Sequence, residues 1–486
     1  MKTKLIAMML VVLATDAVGE VVFPDTRPGE IAREYFAAFN SGDEAKIRAF
    51  ISNYRSAEAL AKRDVDARLP RVLGFRAQLG VIEVGAITGE TASSISVAGR
   101  STSMDMWLAI KFTLEEEPPH KLFEVQIGPG SPPDMTPAET AEWNTLEELI
   151  SQFTGENIPG IAAAIIEGGE VTDLAVAGVR MTGADAPVAK GDRFHAGSVT
   201  KSMTATMIAA LVETGVLHWH LTLGDALPGV EMRDDYQHVT LEQLLNHLGG
   251  VQPWAMVSDE DGERLSAQGT DATSQRAAFA AEVLMEVPVG PVGEFSYSNA
   301  GYTLAAHMAE RALGTSWELL MRERLFEPLE MSGAGFGWPA NPGNPDAPRG
   351  HQREGDALVV QPLDEPGIGS YLAPAGDVSC EVADLAVFAA AHLQGMRGHD
   401  GVLKAKSFER LHAPAATNGA QYVAGWAVVE REGLGKVHWH AGSAGTFYAL
   451  VELYPEQNRA VVVMMNVGPE ASEAASRIAE AVATRP

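Results

Sequence analysis

The chain almost lacks cysteine: Cys380 is the only one in 486 residues. An internal disulfide is therefore excluded, and we interpret Cys380 as a structural residue. Basic residues are also scarce, with 36 Lys and Arg against 64 Asp and Glu and a formal net charge of −28. So acidic a chain is not expected to bind nucleic acid or an anionic membrane surface.

Long hydrophobic runs are missing as well, so no stable membrane span is predicted. The nearest approach lies in residues 1–19, where Lys2 and Lys4 precede an apolar run at 5–14 and small residues at 17–19. That run is too short to span a bilayer, and the pattern is typical of a secretory signal peptide. We expect an exported protein, consistent with a bacterial periplasm, with an uncleaved anchor as the alternative.

Several catalytic signatures are absent from the sequence. There is no Gly-x-Ser-x-Gly nucleophile elbow, no His-Glu-x-x-His zinc helix, no phosphate loop and no dinucleotide fingerprint. The His-Trp-His triplets at 218–220 and 438–440 lack the further ligand spacing of a metallohydrolase. The sequence therefore predicts neither a metal nor a cofactor.

With 46% hydrophobic and 21% charged residues, the composition is that of a globular protein of two or three domains. In residues 24–130 helical patterns come first and alternating strand-like patterns follow, which predicts an α+β domain. The helical patterns lie at 29–39, 43–51 and about 57–74, and the strand patterns at 81–87, 92–97, 106–114 and 122–127. The proline-containing stretch 131–137 is interpreted as a linker.

The second predicted domain covers residues 138–486. Two strands around a Gly168-Gly169 hairpin turn stand near its start, four strand patterns and a last helix stand at its end, and the middle is helical. We expect an α+β fold in which one antiparallel sheet is closed by N- and C-terminal strands, with a helical lobe inserted. The glycine- and proline-rich stretch 333–350 is expected to wall a site.

Ser198 and Lys201 form the only Ser-x-x-Lys in the chain. The pattern opens a helical stretch at 198–214, and a helix brings residues i and i+3 onto one face. A lysine whose pKa is lowered can take the proton of a serine and make it a nucleophile. The spacing indicates acyl transfer through a covalent serine; the alternative is a helix-capping serine followed by a solvated lysine.

Five segments in a fixed order extend this pattern. They are Ile-Pro-Gly-Ile at 158–161, Phe-His-Ala-Gly-Ser-Val-Thr-Lys at 194–201, Leu-Leu-Asn-His-Leu-Gly-Gly at 244–250, Phe-Ser-Tyr-Ser-Asn at 295–299 and His-Ala-Gly at 440–442. Residues 140–485 thereby resemble the serine β-lactamase and penicillin-binding-protein superfamily. The resemblance is to its class C-like branch, which includes D-Ala-D-Ala carboxypeptidases and β-lactamase-like esterases.

The resemblance implies a β-lactamase/transpeptidase-like fold and a role for Tyr297 and Asn299. The tyrosine would face Ser198 and shuttle protons, and the asparagine would bind the amide of the substrate. A nearby ammonium group on Lys201 is expected to lower the pKa of the Tyr297 phenol.

His440, Gly442 and Ser443 correspond to the family's Lys/His-Thr-Gly strand. The resemblance implies that the backbone N–H groups of Ser443 and Ser198 form the oxyanion hole. Many relatives have a lysine at the position of His440 and a threonine at that of Ala441. A histidine offers a positive charge only when protonated, so these departures leave room for uncharged esters beside β-lactams and peptides.

The first domain resembles the cone-shaped nuclear-transport-factor-2-like and SnoaL-like fold. The resemblance rests on Tyr-Phe-Ala-Ala-Phe-Asn-Ser-Gly-Asp at 35–43 and on the strand pattern at 107–114. That fold serves as a pocket or a dimer interface as well as an enzyme. We expect dimerisation or substrate docking here.

The sequence thus predicts an exported serine hydrolase that acts on a small-molecule ester, amide or β-lactam. Ser198, Lys201 and Tyr297 would be catalytic, and Asn299 and His440 would orient the substrate. The alternative is a sensor of penicillin or peptidoglycan that keeps the fold without turnover.

Overall fold

The computed structural model describes residues 21–102, 106–129, 140–255, 257, 259–354, 357–413, 422–431 and 433–485. The predicted signal peptide at 1–19 and the predicted linker at 131–137 lie outside these residues. The chain divides into two compact units, Met1–Pro133 and Asp134–Pro486. No helix among the described residues is long and apolar enough to cross a membrane.

The described part of the first unit has four helices followed by a four-stranded antiparallel sheet in the order β1-β2-β3-β4. The elements are α1 (Arg27–Ser41), α2 (Glu44–Tyr54), α3 (Ala57–Lys62), α4 (Val65–Leu79), β1 (Ile82–Thr91), β2 (Ser94–Ser101), β3 (Met106–Leu114) and β4 (Leu122–Pro129).

The helix predicted over 57–74 is two helices, because Asp64 caps a new one. Its carboxylate accepts the backbone N–H of Ala67 and stops α3 from continuing into α4. Aromatic side chains of α1 form the core against β3, with the rings of Tyr35 and Phe112 5.1 Å apart. The resemblance of this unit to the nuclear-transport-factor-2-like fold stays a prediction.

The second unit combines a central sheet with helices on both faces. Its elements are α5 (Leu146–Ser151), β5 (Gly160–Glu167), β6 (Glu170–Gly178), β7 (Arg193–His195), α6 (Thr200–Glu213), α7 (Leu223–Ala226), α8 (Leu241–Leu245), α9 (Asp259–Ser266), α10 (Ala272–Val283), α11 (Asn299–Leu313), α12 (Trp317–Met321), β8 (Gly335–Phe336), β9 (His351–Glu354), β10 (Ala357–Val360), α13 (Ala373–Gly376), β11 (Val378–Glu381), α14 (Val382–Met396), α15 (Ala405–His412), β12 (Tyr422–Val423), β13 (Trp426–Arg431), β14 (Gly435–Ser443), β15 (Tyr448–Tyr454), β16 (Arg459–Met465) and α16 (Ser472–Ala483).

The seven-stranded sheet has the order β12-β13-β14-β15-β16-β5-β6, and every neighbouring pair is antiparallel. The N-terminal hairpin therefore joins the C-terminal strands, with the helices between them in sequence, as predicted. The hairpin turns through Gly168 and Gly169, both at positive φ (63° and 89°), a conformation that glycine adopts without a Cβ clash.

The central strands are buried on both faces because each face carries its own helical layer. Along β5, alternate residues enter two different cores. Ala162, Ala164 and Ile166 pack in the core that contains α6 and α14, while residues 161, 163 and 165 pack with α5 and α16. The nearly continuous apolar sequence of the strand follows from this two-sided burial.

A chain of buried histidines joins α6 to the sheet. Thr206 Oγ1 lies 3.0 Å from His392 Nε2, His392 Nδ1 lies 2.9 Å from His412 Nε2, and His412 Nδ1 lies 3.3 Å from His438 Nδ1. Burial lowers the pKa of His392 to about 3 and of His438 to about 4. Burial and the two neighbouring histidines hold the pKa of His412 far below its usual value.

We expect these hydrogen-bonded, buried histidines to make the protein sensitive to mild acid. The unfolded state binds protons at these histidines below pH 6.5, whereas the folded state keeps them neutral. Stability is then fully present above pH 6.5 and falls toward pH 4, by up to ~1.4 kcal/mol per pH unit for each histidine. The free energy of urea unfolding, measured from pH 7.5 to 4.5, checks this.

Two variants test whether the acid sensitivity comes from the buried histidines or from other groups of the protein. His438→Asn removes one titrating group while an amide can still donate to His412, so its stability should fall less steeply with acid. His218→Asn, at an exposed site, should keep the slope of the wild type. Equal slopes for all three proteins would contradict the assignment.

Candidate active site

Ser198 lies in a tight turn directly before α6. Gly197–Val199 form a single 3-10 turn, and α6 starts at Thr200 with no side-chain cap at Val199. Ser198 is therefore not a capping residue, and the capping alternative is wrong. Its Oγ lies 3.0 Å from Lys201 Nζ. The predicted i, i+3 contact is present.

Lys201 is fully buried, so the alternative of a solvated lysine is also wrong. Nζ donates to the Ala375 carbonyl at 2.7 Å and lies 4.8 Å from the centre of the Tyr297 ring. Burial holds the pKa of Lys201 well below its usual 10.5. A neutral amine has one lone pair, and with an N–H committed to Ala375 that lone pair can accept the Ser198 proton.

The Ala375 carbonyl is a part of the site that the sequence did not indicate. Thr204 Oγ1 donates to the Pro374 carbonyl at 2.8 Å, and the Val378 N–H donates to Thr200 Oγ1 at 3.1 Å. These bonds from α6 hold the segment around α13 against the helix. A backbone carbonyl can belong to any residue type, so no pattern in the sequence marks it.

Tyr297 reaches the serine from the loop before α11. Ser298 caps that helix, and its backbone N–H donates to His247 Nδ1 at 3.1 Å, while the His247 ring lies 4.3 Å from the Tyr297 ring. Burial raises the pKa of Tyr297, and a hydrogen bond with Ser198 opposes part of that rise.

The expectation that an ammonium group would lower the pKa of Tyr297 is wrong, because burial raises the pKa of the phenol and also disfavours the ammonium form of Lys201. The phenol therefore keeps its proton in the resting site and is placed to donate it. His247, which positions this loop, appeared in the sequence only as part of the segment at 244–250.

Asn299 is the first residue of α11. Its Nδ2 donates to the Trp254 carbonyl at 2.9 Å, and its backbone N–H donates to the Pro253 carbonyl at 2.8 Å. The side chain is thus fixed through its nitrogen. The carboxamide oxygen, an acceptor, is the atom through which Asn299 could bind a substrate N–H.

Both nitrogens of His440 are used inside the protein. Nδ1 lies 2.7 Å from the Ala441 carbonyl, which can only accept, so this nitrogen carries a proton; Nε2 lies 3.0 Å from the Tyr422 hydroxyl. Burial, together with Lys201, lowers the pKa of His440 to about 3. At neutral pH, His440 supplies no positive charge for a substrate carboxylate.

The turn at Ser198 and the end of β14 touch through glycines. A Cβ on Gly442 would stand 2.1 Å from the Ala196 carbonyl and 2.4 Å from the Ser198 nitrogen, and one on Gly197, which has φ +50°, would stand 2.4 Å from the Ser443 nitrogen. The serine turn and the end of β14 are therefore in close contact beside the Ser198 and Ser443 nitrogens, as the predicted oxyanion hole requires.

Strand pairing leaves this end of β14 beside the serine. Within the described residues, the register of β13 with β14 ends at Trp439, whereas β15 accompanies β14 as far as Ser443. Trp338, from the predicted wall at 333–350, packs against His195 with ring centres 4.6 Å apart. His195 in turn accepts the Gly197 N–H at 3.2 Å and so helps to fix the turn.

Comparison with known proteins gives matches over the second unit. A family model described as Beta-lactamase matches residues 146–484. Penicillin-binding protein 4 of Amycolatopsis lactamdurans is 27% identical over 346 residues, which cover 68% of this chain and 86% of that protein.

Two solved structures have the same fold. The octameric penicillin-binding protein homologue from Pyrococcus abyssi aligns with a TM-score of 0.54 at 24% identity, over 67% of this chain and 73% of its own. D-alanine carboxypeptidase AmpC from Burkholderia cenocepacia aligns with a TM-score of 0.54 at 22% identity, over 67% of this chain and 94% of its own.

The low pKa of Lys201 sets an expected pH profile for the reaction with Ser198. A base works when deprotonated, so the rate should fall as the pH falls through the pKa of Lys201 in the folded protein. Because that pKa lies well below 10.5, kcat/KM for a neutral ester should reach its plateau before pH 10.5.

Lys201→Arg is the matched variant, because a guanidinium stays charged at all these pH values and cannot accept the proton. We expect at least a hundredfold loss at every pH. An activity of the wild type that keeps rising to pH 10.5, or an active arginine variant, would contradict a neutral Lys201.

Gly442→Ala tests the contact between β14 and the serine turn. The added methyl group must separate the Ser198 and Ser443 nitrogens, so we expect kcat to fall about a hundredfold or more. Gly191→Ala, where the nearest atom to the new Cβ is a side-chain oxygen at 3.9 Å, is the control. The melting temperatures of both variants show whether a loss comes from unfolding instead; full activity of Gly442→Ala would exclude the hole at this position.

Proposed function

Because the chain belongs to the beta-lactamase family, we propose that it is an exported serine hydrolase that forms an acyl-serine intermediate from ester or amide substrates. The observation that carries the proposal is the buried, neutral amine of Lys201 at 3.0 Å from Ser198 Oγ. A solvent-excluded amine of this kind can take the serine proton without first losing one of its own.

In the first step, Ser198 Oγ attacks the carbonyl carbon of the substrate while its proton passes to Lys201 Nζ. The carbonyl oxygen becomes an oxyanion, which the N–H groups of Ser198 and Ser443 stabilise. The bond to the leaving oxygen or nitrogen then breaks. Tyr297 donates a proton to that atom and regains one from Lys201, which returns the amine to its neutral form.

The second step releases the acid. Water gives a proton to the same neutral amine, directly or through Tyr297, as it attacks the acyl carbonyl in the same oxyanion hole. The bond to Ser198 Oγ breaks, and the proton held by Lys201 returns to that oxygen. Asn299 is assigned to the acyl side of the substrate, where its carboxamide oxygen can accept an N–H if one is present.

The relatives support hydrolysis and differ in substrate. One solved neighbour is named a D-alanine carboxypeptidase, and another, at 21% identity, a D-stereospecific amidohydrolase. A peptide with a free C-terminus presents a carboxylate, and neutral His440 gives that group no charged partner. We therefore place neutral esters and amides before anionic substrates. Export rests on the signal pattern at 1–19, and the N-terminal mass of the mature protein tests it.

Ser198→Ala should lose at least about a thousandfold in the hydrolysis of p-nitrophenyl butyrate, because the members of such a catalytic unit fail together. Ser202→Ala, one turn further along α6, should stay active, since its hydroxyl donates to the Val199 carbonyl at 2.8 Å within the helix. Intact mass should show a transient butyryl adduct on the wild type and none on Ser198→Ala. A lasting adduct without turnover would favour the sensor, and an unchanged rate would reject the nucleophile.

The neutral state of His440 gives a substrate test. p-Nitrophenyl butyrate and the mono-p-nitrophenyl ester of succinic acid have acyl groups of similar length, and only the second carries a carboxylate. We expect kcat/KM to favour the neutral ester by about tenfold or more, because a carboxylate loses hydration here without gaining a cation. A preference for the succinate ester at pH 7.5 would mean that another cation meets the substrate.

A further inference from the structure

An exposed apolar surface lies on the loop between α10 and α11. Eleven large hydrophobic side chains are exposed in the described chain, and five of them stand on this one loop, with 36% to 65% of their area in contact with solvent. They are Met285, Val287, Val289, Val292 and Phe295, and we call them the loop surface. Single exposed hydrophobic residues are ordinary, but a group of them on one loop indicates a surface that binds a partner or ligand.

Hydrogen bonds to the neighbouring segment 247–252 hold this loop along its length. The N–H groups of Val289, Gly293 and Ser296 donate to backbone carbonyls of that segment at 2.8 to 2.9 Å. Gln252 Nε2 donates to the Val287 carbonyl at 2.7 Å. The apolar side chains therefore stand on a defined backbone and face solvent from it.

The loop surface is joined to the catalytic residues at both ends. Phe295 stands two residues before Tyr297, and its ring lies 5.8 Å from those of both His247 and Tyr422. At the other end, Glu286 accepts the Trp254 indole N–H at 3.0 Å. The Trp254 carbonyl is the group that holds Asn299.

The charges beside the surface exclude an anionic occupant. The loop carries Glu286 and Glu294 and no lysine, arginine or histidine from 284 to 296, and burial keeps the nearby ring of His440 neutral at neutral pH. The whole chain has a net charge of −28, so a second copy would bring further negative charge to this place. An uncharged apolar part of a substrate bound at Ser198 would not be repelled by these negative charges.

We propose that the loop surface binds the acyl chain of the substrate, and that the enzyme acts on esters or amides of medium-length apolar acids. The inference rests on the proposed function, since the chain must be attached to the carbonyl that Ser198 attacks. The acyl side is chosen because the surface leads to Asn299 through Trp254, and because the acyl group is present in both steps of hydrolysis. Burial of its methylene groups against fixed side chains then favours both transition states.

The experiment measures kcat/KM for p-nitrophenyl acetate, butyrate, hexanoate and octanoate. We expect at least a tenfold rise from acetate to octanoate, since each added methylene gains apolar contact. In the double variant Val287→Thr/Val292→Thr, the rate with acetate should stay within about twofold and the rise should shrink at least threefold. Val171→Thr, which changes an exposed valine on β6, should leave the series unchanged.

A second series at fixed acyl group, with acetate esters of short and long alcohols, separates the two sides of the substrate. A length dependence that appears only in the alcohol series, or one that survives the double variant, would overturn the assignment. So would a dimer that light scattering detects in the wild type and not in the double variant, because a second copy would then cover the surface. If Ser198 hydrolyses esters without regard to acyl length, this inference fails alone; if neither esters nor amides are hydrolysed, the proposed function fails with it.

Discussion

The burial of Lys201 without a counter-charge is the constraint on which the rest of the site depends. An isolated ammonium group is costly to bury, so the side chain gives up its proton and stays as an amine. The amine then needs a fixed direction for its lone pair, which the Ala375 carbonyl gives by taking one N–H. The role of Tyr297 also depends on the uncharged amine, because beside it the phenol remains protonated and can serve as an acid.

The Ala375 carbonyl holds its place because its whole segment is tied to the surrounding helices. Thr303 donates to the Tyr371 carbonyl at 2.8 Å and Arg276 to the Ser370 carbonyl at 2.9 Å. Arg276 is itself fully buried between Glu310, at 2.6 Å, and Glu318, at 2.8 Å. Loss of Arg276 would leave the buried carboxylate of Glu310 without its guanidinium partner, so a network remote from the serine supports the segment that carries Ala375.

The chemistry that depends on spacing along one element could be predicted from the sequence, and the chemistry that depends on packing could not. Ser198 and Lys201 are in contact because side chains three residues apart lie on the same face of a helical turn. The pKa of Tyr297 is raised by burial, which depends on how distant segments of the chain pack around it. Its proximity to Lys201 alone had predicted a lowered pKa. His392, His412 and His438 come from α14, α15 and β14, and nothing in their spacing indicates that they form one chain. The sheet was predictable in outline because its strands carry a strong apolar pattern, but a single residue, Asp64, divided a helix that periodicity had joined.

The bases of the catalytic cluster are all held in their neutral forms before the reaction. Burial lowers the pKa of His440, of His247 and of Lys201, and a proton on Lys201 would lower the pKa of both histidines further, so these bases compete for a proton in one small volume. When Ser198 gives up its proton during attack, Lys201 becomes the single cation of the cluster, opposite the oxyanion that forms at the same moment. A permanent cation at position 440 would oppose that transfer by raising the free energy of the protonated lysine. A site that keeps its neighbours neutral thus favours charge separation within the reaction itself, and Asn299 and His440 would meet the rest of the substrate as uncharged groups.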